Sequence, residues 1–257
     1  MAEPTILELQ KVTKRFGGLL AVDALSFTVR RGQIKALIGP NGAGKTTVFN
    51  LITGIYPLDG GEIWVTSRRT GGQPSHRVAA QGVARTFQNV ELFGNMTVLE
   101  NIMVGAHTQA HTGFAGASLR TRTMRLEEAR LAQQAQQCLH LVGLTEVEPD
   151  REAYSLAFGQ QRLLEIARAL AAEPKLLLLD EPAAGLSTRE TARLAELVRR
   201  VRDLGVTVLL VDHDMDLVMQ ISDEVVVLDH GEKIAEGTPR EMQRDARVIA
   251  AYLGEEA

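Results

Sequence analysis

Two spacings of apolar residues alternate along the chain and predict its strands and helices. Leu25–Val29 alternates between apolar and polar residues, which is typical of a strand with one buried face. The apolar runs Leu176–Leu179 and Val206–Val211 do not alternate, so they predict strands that are covered on both faces. Between them, Thr188–Leu204 has the spacing of an amphipathic helix. Because strands and helices alternate in the last third, we expect a parallel sheet with right-handed crossovers.

Shorter segments extend this pattern towards both ends of the chain. Ile6–Leu9 predicts an opening strand, and Ala36–Ile38 predicts a short buried strand that leads into a helix at Lys45–Thr53. Further on, Val225–Leu228 predicts a buried strand that pairs with Ile234–Ala235. The predicted fold class is therefore α/β.

The middle of the chain changes character and predicts a mainly helical lobe. Met124–Leu141 has helical spacing, whereas Gly105–Thr123 is rich in Gly, Ala, Ser and Thr and predicts a mobile connection. We expect the whole chain to form one domain. Its helical lobe would span about 98–171, and its core lobe would combine the residues on either side, about 1–97 and 172–257.

Composition narrows the classes of function. Of the 257 residues, 45% are hydrophobic and 23% are charged, which is ordinary for a folded domain. The net charge of −4 argues against a strong attraction to nucleic acid or an anionic membrane. The single cysteine, Cys138, excludes an internal disulfide and a cysteine-based zinc site. No apolar run approaches the roughly 20 residues that cross a bilayer, and the N-terminus lacks a secretory pattern, so we expect a cytoplasmic protein.

A phosphate-binding motif follows the predicted strand Ala36–Ile38. It fits G-x-x-x-x-G-K-[ST] between a strand and a helix, where backbone N–H groups and the helix N-terminus bind anionic oxygens. We expect Lys45 to reach the β- and γ-phosphates of a nucleotide, Thr46 to bind Mg²⁺ and Thr47 to lie at the α-phosphate. The motif, called here the phosphate loop, comprises Gly39, Pro40, Asn41, Gly42, Ala43, Gly44, Lys45, Thr46 and Thr47.

Two carboxylates, Asp180 and Glu181, come directly after the apolar run Leu176–Leu179. Since the carboxyl ends of parallel strands meet at one edge of a sheet, we expect both beside the phosphate loop. Asp180 would hold Mg²⁺ through water, and Glu181 would orient or deprotonate the water that attacks the γ-phosphate. A phosphate loop alone does not name the reaction. A GTPase would carry an Asn-Lys-x-Asp motif that reads the base, and the sequence lacks one.

A second helix with a glycine near its start narrows the class of nucleotide-binding protein. Leu156–Arg162 reads Leu-Ala-Phe-Gly-Gln-Gln-Arg and leads into an amphipathic helix, whose N-terminus suits an anion. The order of phosphate loop, Gln88, this segment, Asp180–Glu181 and His213 resembles the ATP-binding cassette (ABC) family over about Leu7–Leu253. The resemblance implies a P-loop NTPase core with a mostly parallel sheet, an N-terminal antiparallel β subdomain and a helical subdomain.

The resemblance also implies roles that spacing alone does not assign. Phe16 matches the aromatic residue that stacks on adenine. Gln88 matches the glutamine that contacts Mg²⁺ and the attacking water, and His213 matches the histidine that contacts the γ-phosphate. Val90–Val98 matches the surface that meets a permease. The signature segment, which would bind the nucleotide of a partner cassette, comprises Ala157, Phe158, Gly159 and Gln160.

Departures from the commonest family pattern point to a narrower group. Ala157 and Phe158 replace the usual Ser and Gly, which removes a hydroxyl expected to bind the partner's γ-phosphate, and Ser187 stands where Asp or Asn is usual in the loop that crosses the dimer interface. This signature, with Val83–Asn89 and the tail Val248–Glu255, resembles the ATPases of branched-chain amino acid importers. Relatives in that group serve urea or amides, and the tail also resembles that of lipopolysaccharide-export ATPases.

The resemblance implies an importer ATPase subunit that binds ATP and Mg²⁺ at the inner face of the membrane. It would form a homodimer, or a heterodimer with a second cassette, on two transmembrane permease subunits, with a solute-binding protein acting indirectly and no nucleic acid. One alternative is a soluble cassette ATPase that acts on ribosomes or DNA, which a single phosphate loop and the lack of heptads argue against. The other is a binding module without turnover, which Glu181 and His213 argue against.

Overall fold

The computed structural model describes residues 4–106 and 122–253. Its strands are β1 (Thr5–Phe16), β2 (Leu19–Arg30), β3 (Ile34–Ile38), β4 (Gly60–Val65), β5 (Arg68–Arg69), β6 (Val83–Arg85), β7 (Leu176–Asp180), β8 (Thr207–Val211), β9 (Glu224–Asp229) and β10 (Glu232–Gly237). Its helices are α1 (Lys45–Ile52), α2 (Ser75–Ala79), α3 (Val98–Ala106), α4 (Arg122–Leu141), α5 (Phe158–Leu170), α6 (Thr188–Asp203), α7 (Met215–Ile221), α8 (Pro239–Met242) and α9 (Ala246–Leu253), with a 3₁₀ turn at Ala153–Ser155.

A four-stranded antiparallel sheet, in the order β2-β1-β4-β5, forms the N-terminal β subdomain. Leu7 lies opposite Val29 and Leu9 lies opposite Phe27 across β1 and β2, and all four side chains are buried. Because alternate residues of a strand face the same side, this register places the apolar side chains of both strands on one face. The antiparallel subdomain is confirmed, although the apolar spacing does not predict β4 or β5.

A six-stranded sheet has the order β10-β9-β3-β8-β7-β6, and every neighbouring pair is parallel except β9 with β10. Every residue of β3, β7 and β8 is buried, as apolar runs without alternation predict. The predicted pairing of Ala235 is also confirmed, since it lies opposite Val227. The three-residue strand β6 is too short for the pattern to reveal. The carboxyl ends of the parallel strands meet at one edge, where loops can build a site.

Contacts divide the chain into two compact units. The first runs up to residue 85 and resumes at residue 175, and it contains both sheets. The second comprises residues 86–174 and is helical, with Ile102, Leu139 and Leu164 among its buried side chains. Across residues 4–106 and 122–253, no helix combines the length and apolar character that a membrane span requires.

The connection predicted at Gly105–Thr123 is shorter than expected at both ends. Helix α3 continues through Ala106, and α4 already begins at Arg122. Residues 107–121 lie outside the described residues, as do Gly254 and Glu255 of the tail.

Candidate active site

The phosphate loop joins the buried strand β3 to helix α1, and two of its positions accept only glycine. Gly39 has φ 151° and Gly44 has φ 99°, a region that disfavours other L-residues. A Cβ atom on Gly39 would lie 2.1 Å from the carbonyl oxygen of Leu228, and one on Gly44 would lie 2.5 Å from that of Ala21. The backbone of β2 and of β9 therefore packs directly against the loop and fixes its path.

The turn between β9 and β10 supports the phosphate loop from one side. The N–H of Gly231 donates to the carbonyl oxygen of Ala43 at 3.1 Å, and the carbonyl oxygen of Gly231 accepts from the N–H of Asp23 at 2.9 Å. One turn residue thus joins the loop to β2, so the loop conformation does not depend on a ligand alone.

Lys45 and the N-terminus of α1 provide the positive charge of the loop. The ammonium of Lys45 donates to the carbonyl oxygens of Gly39 and Pro40 at 2.6 and 2.7 Å, which places it across the loop. Gly44 caps the helix without a side-chain acceptor, and the first turn contains no acidic residue. The first N–H groups of a helix need an acceptor, and a phosphate meets that need together with the helix dipole. Thr46 and Thr47 follow in this first turn.

Asp180 ends β7 and is almost completely buried. Its carboxylate oxygen Oδ2 accepts from Nη2 of Arg85 at 2.7 Å. Arg85 ends the neighbouring strand β6, donates from Nη1 to Asn50 Oδ1 at 2.7 Å and lies over the ring of Phe49 in α1. Sequence reasoning missed Arg85. The available signal was an arginine at the end of a strand adjacent to the Asp180 strand, which becomes visible only once the strand order is known.

Glu181 and His213 lie at the carboxyl ends of the adjacent strands β7 and β8. Glu181 has φ 46°, a left-handed conformation that is unusual for a residue with a side chain, and its N–H donates to the Val211 carbonyl oxygen at 2.7 Å. Nδ1 of His213 is 3.8 Å from Oε2 of Glu181. The His213 side chain is 67% exposed, against 21% for Glu181, so the histidine lies outermost. The structure therefore brings together two side chains that are separate in sequence.

Asp212, which sequence reasoning also missed, holds the loops after β7 and β8 together. Its buried carboxylate accepts from the N–H groups of Ala183 and Asp214 at 3.0 and 2.9 Å. Burial raises the pKa of Asp212, while these two N–H donors and the charge of His213 oppose that rise. The carboxylate thus fixes the backbone that follows Glu181 and His213.

Phe16 ends β1 and is partly exposed to solvent. Tyr56 meets that ring edge-on, with centroids 5.3 Å apart, and the ammonium of Lys14 lies 5.3 Å from the Phe16 centroid. Asp59 anchors Lys14 and also accepts from the N–H of Arg15 at 2.6 Å. These contacts hold the Phe16 ring in place at the end of β1.

The second unit contains Gln88 and the signature segment. Ala157 is the N-cap of α5 and has no side-chain acceptor, and Phe158, which is 48% exposed, is the first residue of the helix. Oε1 of Gln160 accepts from the N–H of Ala157 at 3.2 Å. The N-terminus of α5 therefore lacks the cap acceptor that a Ser, Thr, Asp or Asn would supply, which fits a helix start that receives an anion from outside.

Ser187 lies in the loop before α6 and exchanges hydrogen bonds with Glu190. It is the N-cap of α6, and its hydroxyl oxygen accepts from the N–H of Glu190 at 3.4 Å. Its own N–H donates to Oε2 of Glu190 at 2.9 Å, which completes a capping box. These reciprocal hydrogen bonds fix the end of the loop before α6.

Thr46 and Asp180 offer oxygen ligands that suit Mg²⁺, but the ion needs further ligands from water or phosphate. Thr46 offers a hydroxyl oxygen and Asp180 a carboxylate oxygen, which are the hard donors that Mg²⁺ prefers. Among the residues that the structure describes, no three His, Cys, Asp or Glu side chains group closely enough to hold a metal. Mg²⁺ commonly retains waters and takes phosphate oxygens, so this sparse set suits an ion that arrives with a nucleotide.

A glycine-shaped phosphate loop after a central parallel strand, with two carboxylates at the end of another strand, defines a P-loop nucleoside triphosphatase. The chain belongs to the ABC transporter family, whose family model matches residues 22–184. A second model, described as branched-chain amino acid ATP-binding cassette transporter, matches residues 232–257. The expected family is thus confirmed, and the chain is an ATP-binding and ATP-hydrolysing cassette.

Curated relatives match along their full length. The chain is 48% identical over 256 residues to the high-affinity branched-chain amino acid transport ATP-binding protein BraF of Pseudomonas aeruginosa, covering 99% of this chain and 100% of the relative. It is 45% identical, with the same coverage, to the corresponding protein LivG of Escherichia coli. Among solved structures, an ABC transporter cassette in its ADP conformation superimposes with a TM-score of 0.84 at 30% identity, covering 98% of this chain and 99% of that one. The P-loop NTPase fold is thereby confirmed.

Proposed function

We propose that the chain is the ATPase subunit of an importer for branched-chain or other hydrophobic amino acids, acting through partner permeases. The names of the relatives that match it over their whole length support this assignment. So does the match of residues 232–257 to a model specific for branched-chain amino acid cassettes. The observation that carries the ATPase part is the placement of Glu181 and His213 at the strand ends where the phosphate loop also begins.

Residues of the first unit would hold ATP at its adenine end and at its phosphate end. The Phe16 ring would stack on adenine, and the loop N–H groups would bind the phosphates. Lys45 would turn from the carbonyls of Gly39 and Pro40 to the β- and γ-phosphate oxygens, because a phosphate is the stronger acceptor for an ammonium. Thr46 and Asp180 would hold Mg²⁺, which would neutralise charge on the phosphates.

Hydrolysis would use Glu181 and His213 on the γ-phosphate. Glu181 would accept a proton from a water aligned with the γ-phosphorus, the water oxygen would bond to phosphorus, and the bond to the β-γ bridging oxygen would break to release ADP and phosphate. His213 would donate to a γ-phosphate oxygen from its exposed position. The family resemblance assigns Gln88 to the same water and to Mg²⁺, and that role stays a prediction.

Dimerisation would complete each site. The N-terminus of α5, with Ala157, Phe158, Gly159 and Gln160, would bind the γ-phosphate held by a partner cassette, which is either a second copy or a related chain. Since the γ-phosphate would then contact both chains, ATP would favour the closed dimer and hydrolysis would release it. The segment Val90–Val98 would transmit that change to the permease.

The substitution Glu181→Gln tests the ATPase mechanism. It removes the proton acceptor and keeps the size of the side chain, so we expect ATP binding to persist, turnover to fall at least about 100-fold, and a stable ATP-bound dimer to accumulate. Turnover is measured by phosphate release and dimer formation by light scattering. A Glu181→Gln protein that hydrolyses ATP at the normal rate would show that Glu181 is not the base.

Isolation from membranes tests the transport assignment. The tagged chain is purified after detergent extraction, the co-purifying proteins are identified by mass spectrometry, and uptake of radiolabelled leucine is compared with that of urea and an amide. Two permease subunits together with leucine uptake support the proposal. Uptake of urea or an amide favours a related importer, outer-membrane lipid-export partners favour the export alternative, and recovery with ribosomes favours a soluble cassette.

A further inference from the structure

A buried ion pair lies in the signature helix α5, one turn after its start. Arg162 and Glu165 are each 1% exposed, and Nη1 of Arg162 is 3.1 Å from Oε2 of Glu165. Burying two charges costs free energy, which further hydrogen bonds to the pair must offset. Within the second unit, both Nη atoms of Arg162 and Oε1 of Glu165 bind one short segment of backbone, whereas Nε of Arg162 is buried without a hydrogen-bond partner among the described residues.

That segment is Phe87–Gln88. Nη1 of Arg162 donates to the carbonyl oxygen of Phe87 at 2.9 Å, and Nη2 donates to that of Gln88 at 2.8 Å. The N–H of Phe87 donates to Oε1 of Glu165 at 2.9 Å. Three backbone groups of two consecutive residues are therefore held by one charged pair. The guanidinium is planar, so its two Nη donors fix the direction of both carbonyl groups at once.

Arg162 also contacts the signature segment itself. The centre of its guanidinium lies 5.9 Å from the ring centroid of Phe158, within the range of a cation–π contact. Phe158 is the partly exposed first residue of α5. One buried side chain thus contacts both the signature segment and the backbone of Gln88.

We infer that Arg162 and Glu165 are positioning residues that hold Gln88 in a fixed place relative to the signature segment. This inference rests on the proposed role of Gln88 in hydrolysis. An Arg162 side chain that engages both carbonyls keeps the Gln88 side chain where it can act. If the two Nη donors of Arg162 are lost, Gln88 is misplaced. Binding of the nucleotide by Lys45 and Phe16 does not depend on these two donors. The effect therefore falls on kcat and leaves the KM for ATP nearly unchanged.

The experiment combines Arg162→Lys with Gln88→Ala in the full chain. Lysine keeps the charge and loses the planar fork. We expect Arg162→Lys to lower kcat about tenfold or more with KM for ATP within about twofold, and we expect no further loss when it is added to Gln88→Ala. Arg130→Lys makes the same chemical change at an exposed position of α4 and serves as the control, with unchanged kcat.

Hydrogen exchange provides a readout that does not depend on turnover. We expect Glu165→Ala and Arg162→Lys to speed amide exchange of Phe87, whose N–H the pair holds, by about tenfold or more relative to Arg130→Lys. Glu165→Leu, which is similar in size and also removes the acceptor of the Phe87 N–H, replaces Glu165→Ala if the latter does not fold.

The outcomes separate this inference from the proposed function. If Gln88→Ala retains full turnover, the role of Gln88 and this inference fail together. Suppose that Gln88→Ala is slow and that Arg162→Lys lowers kcat by the same factor in the wild-type chain and in Gln88→Ala. Only the positioning role of Arg162 and Glu165 is then overturned. Unchanged exchange at Phe87 in the Arg162 and Glu165 variants also overturns it.

Discussion

Arg85 and Asp180 form an ion pair across the ends of two neighbouring parallel strands, with side chains that are only 6% and 2% exposed. Asn50 and Phe49 hold the guanidinium from α1, the helix that begins in the phosphate loop. The same arginine thus joins the proposed Mg²⁺-binding carboxylate to the helix of the phosphate loop. This contact orients Asp180 before any nucleotide binds.

Replacing Arg85 by glutamine should destabilise the protein strongly. The Asp180 carboxylate would remain buried without its cation, and such losses cost about 3–5 kcal/mol. Urea unfolding followed by circular dichroism measures the effect. Arg69→Gln is the matched control, because Arg69 pairs with Glu62 at the surface, where such pairs contribute less than about 1 kcal/mol. Equal losses for both variants would mean that the Arg85–Asp180 pair contributes no more than a surface contact.

A methyl group at Gly39 should abolish the geometry of the phosphate loop. The added Cβ would meet the Leu228 carbonyl oxygen at 2.1 Å, so either the loop or β9 has to move. We expect Gly39→Ala to weaken binding of a fluorescent ATP analogue by at least about tenfold, because the loop N–H groups lose their common direction. Gly60→Ala is the control, since its Cβ would have no neighbour closer than Thr13 at 3.5 Å. Equal affinity in both variants would contradict the fixed loop path.

The cap on α6 should contribute measurably to stability. Ser187→Ala removes the hydroxyl that accepts from the N–H of Glu190, and loss of such a cap costs about 0.5–2 kcal/mol. Ser187→Asn should retain stability, because its amide oxygen accepts the same hydrogen bond and its amide N–H can replace the hydroxyl as donor to Oε2 of Glu190. The stabilities of the wild-type protein and of the two Ser187 variants are compared by thermal and urea unfolding. An asparagine variant as unstable as the alanine variant would show that the hydroxyl does not act as a cap.

Local chemistry explains why most of the phosphate site could be predicted from sequence. Gly39, Gly44 and Lys45 lie within seven positions, so their spacing alone specifies a turn between a strand and a helix. Asp180 and Glu181 follow an apolar run, which identifies the end of a buried strand. In these segments the residues that form the site are the same residues that produce the recognisable sequence pattern.

Long-range polar contacts explain what the sequence did not reveal. Arg85 and Asp180 are 95 positions apart, and Arg162 is 74 positions from Gln88. Each of these arginines is a charged residue in a helix or strand pattern, and nothing local marks it as buried. Only the order of the strands and the packing of α5 bring the partners together. The short strands β5 and β6 also carry too few residues to show a period.

Cys138 should react slowly with alkylating reagents in the folded protein. Burial raises the pKa of its thiol from 9.0 to about 11, and the nearby charge of Glu173 adds to the rise. The thiolate is the reactive form, and this higher pKa lowers the thiolate fraction about 100-fold below pH 9. We expect labelling by iodoacetamide at pH 8, followed by intact mass spectrometry, to be at least that much slower than labelling of glutathione in the same tube.

Because Cys138 is the single cysteine, the mass change reports this side chain alone. The labelling rate should rise about tenfold for each pH unit between 8 and 10, since both values lie below the folded pKa. In urea the rate should approach that of glutathione, because the thiol regains its ordinary pKa and contact with water. Native labelling as fast as that of glutathione at pH 8 would show that α4 opens around Cys138, and the second unit would then lack the packed core described above.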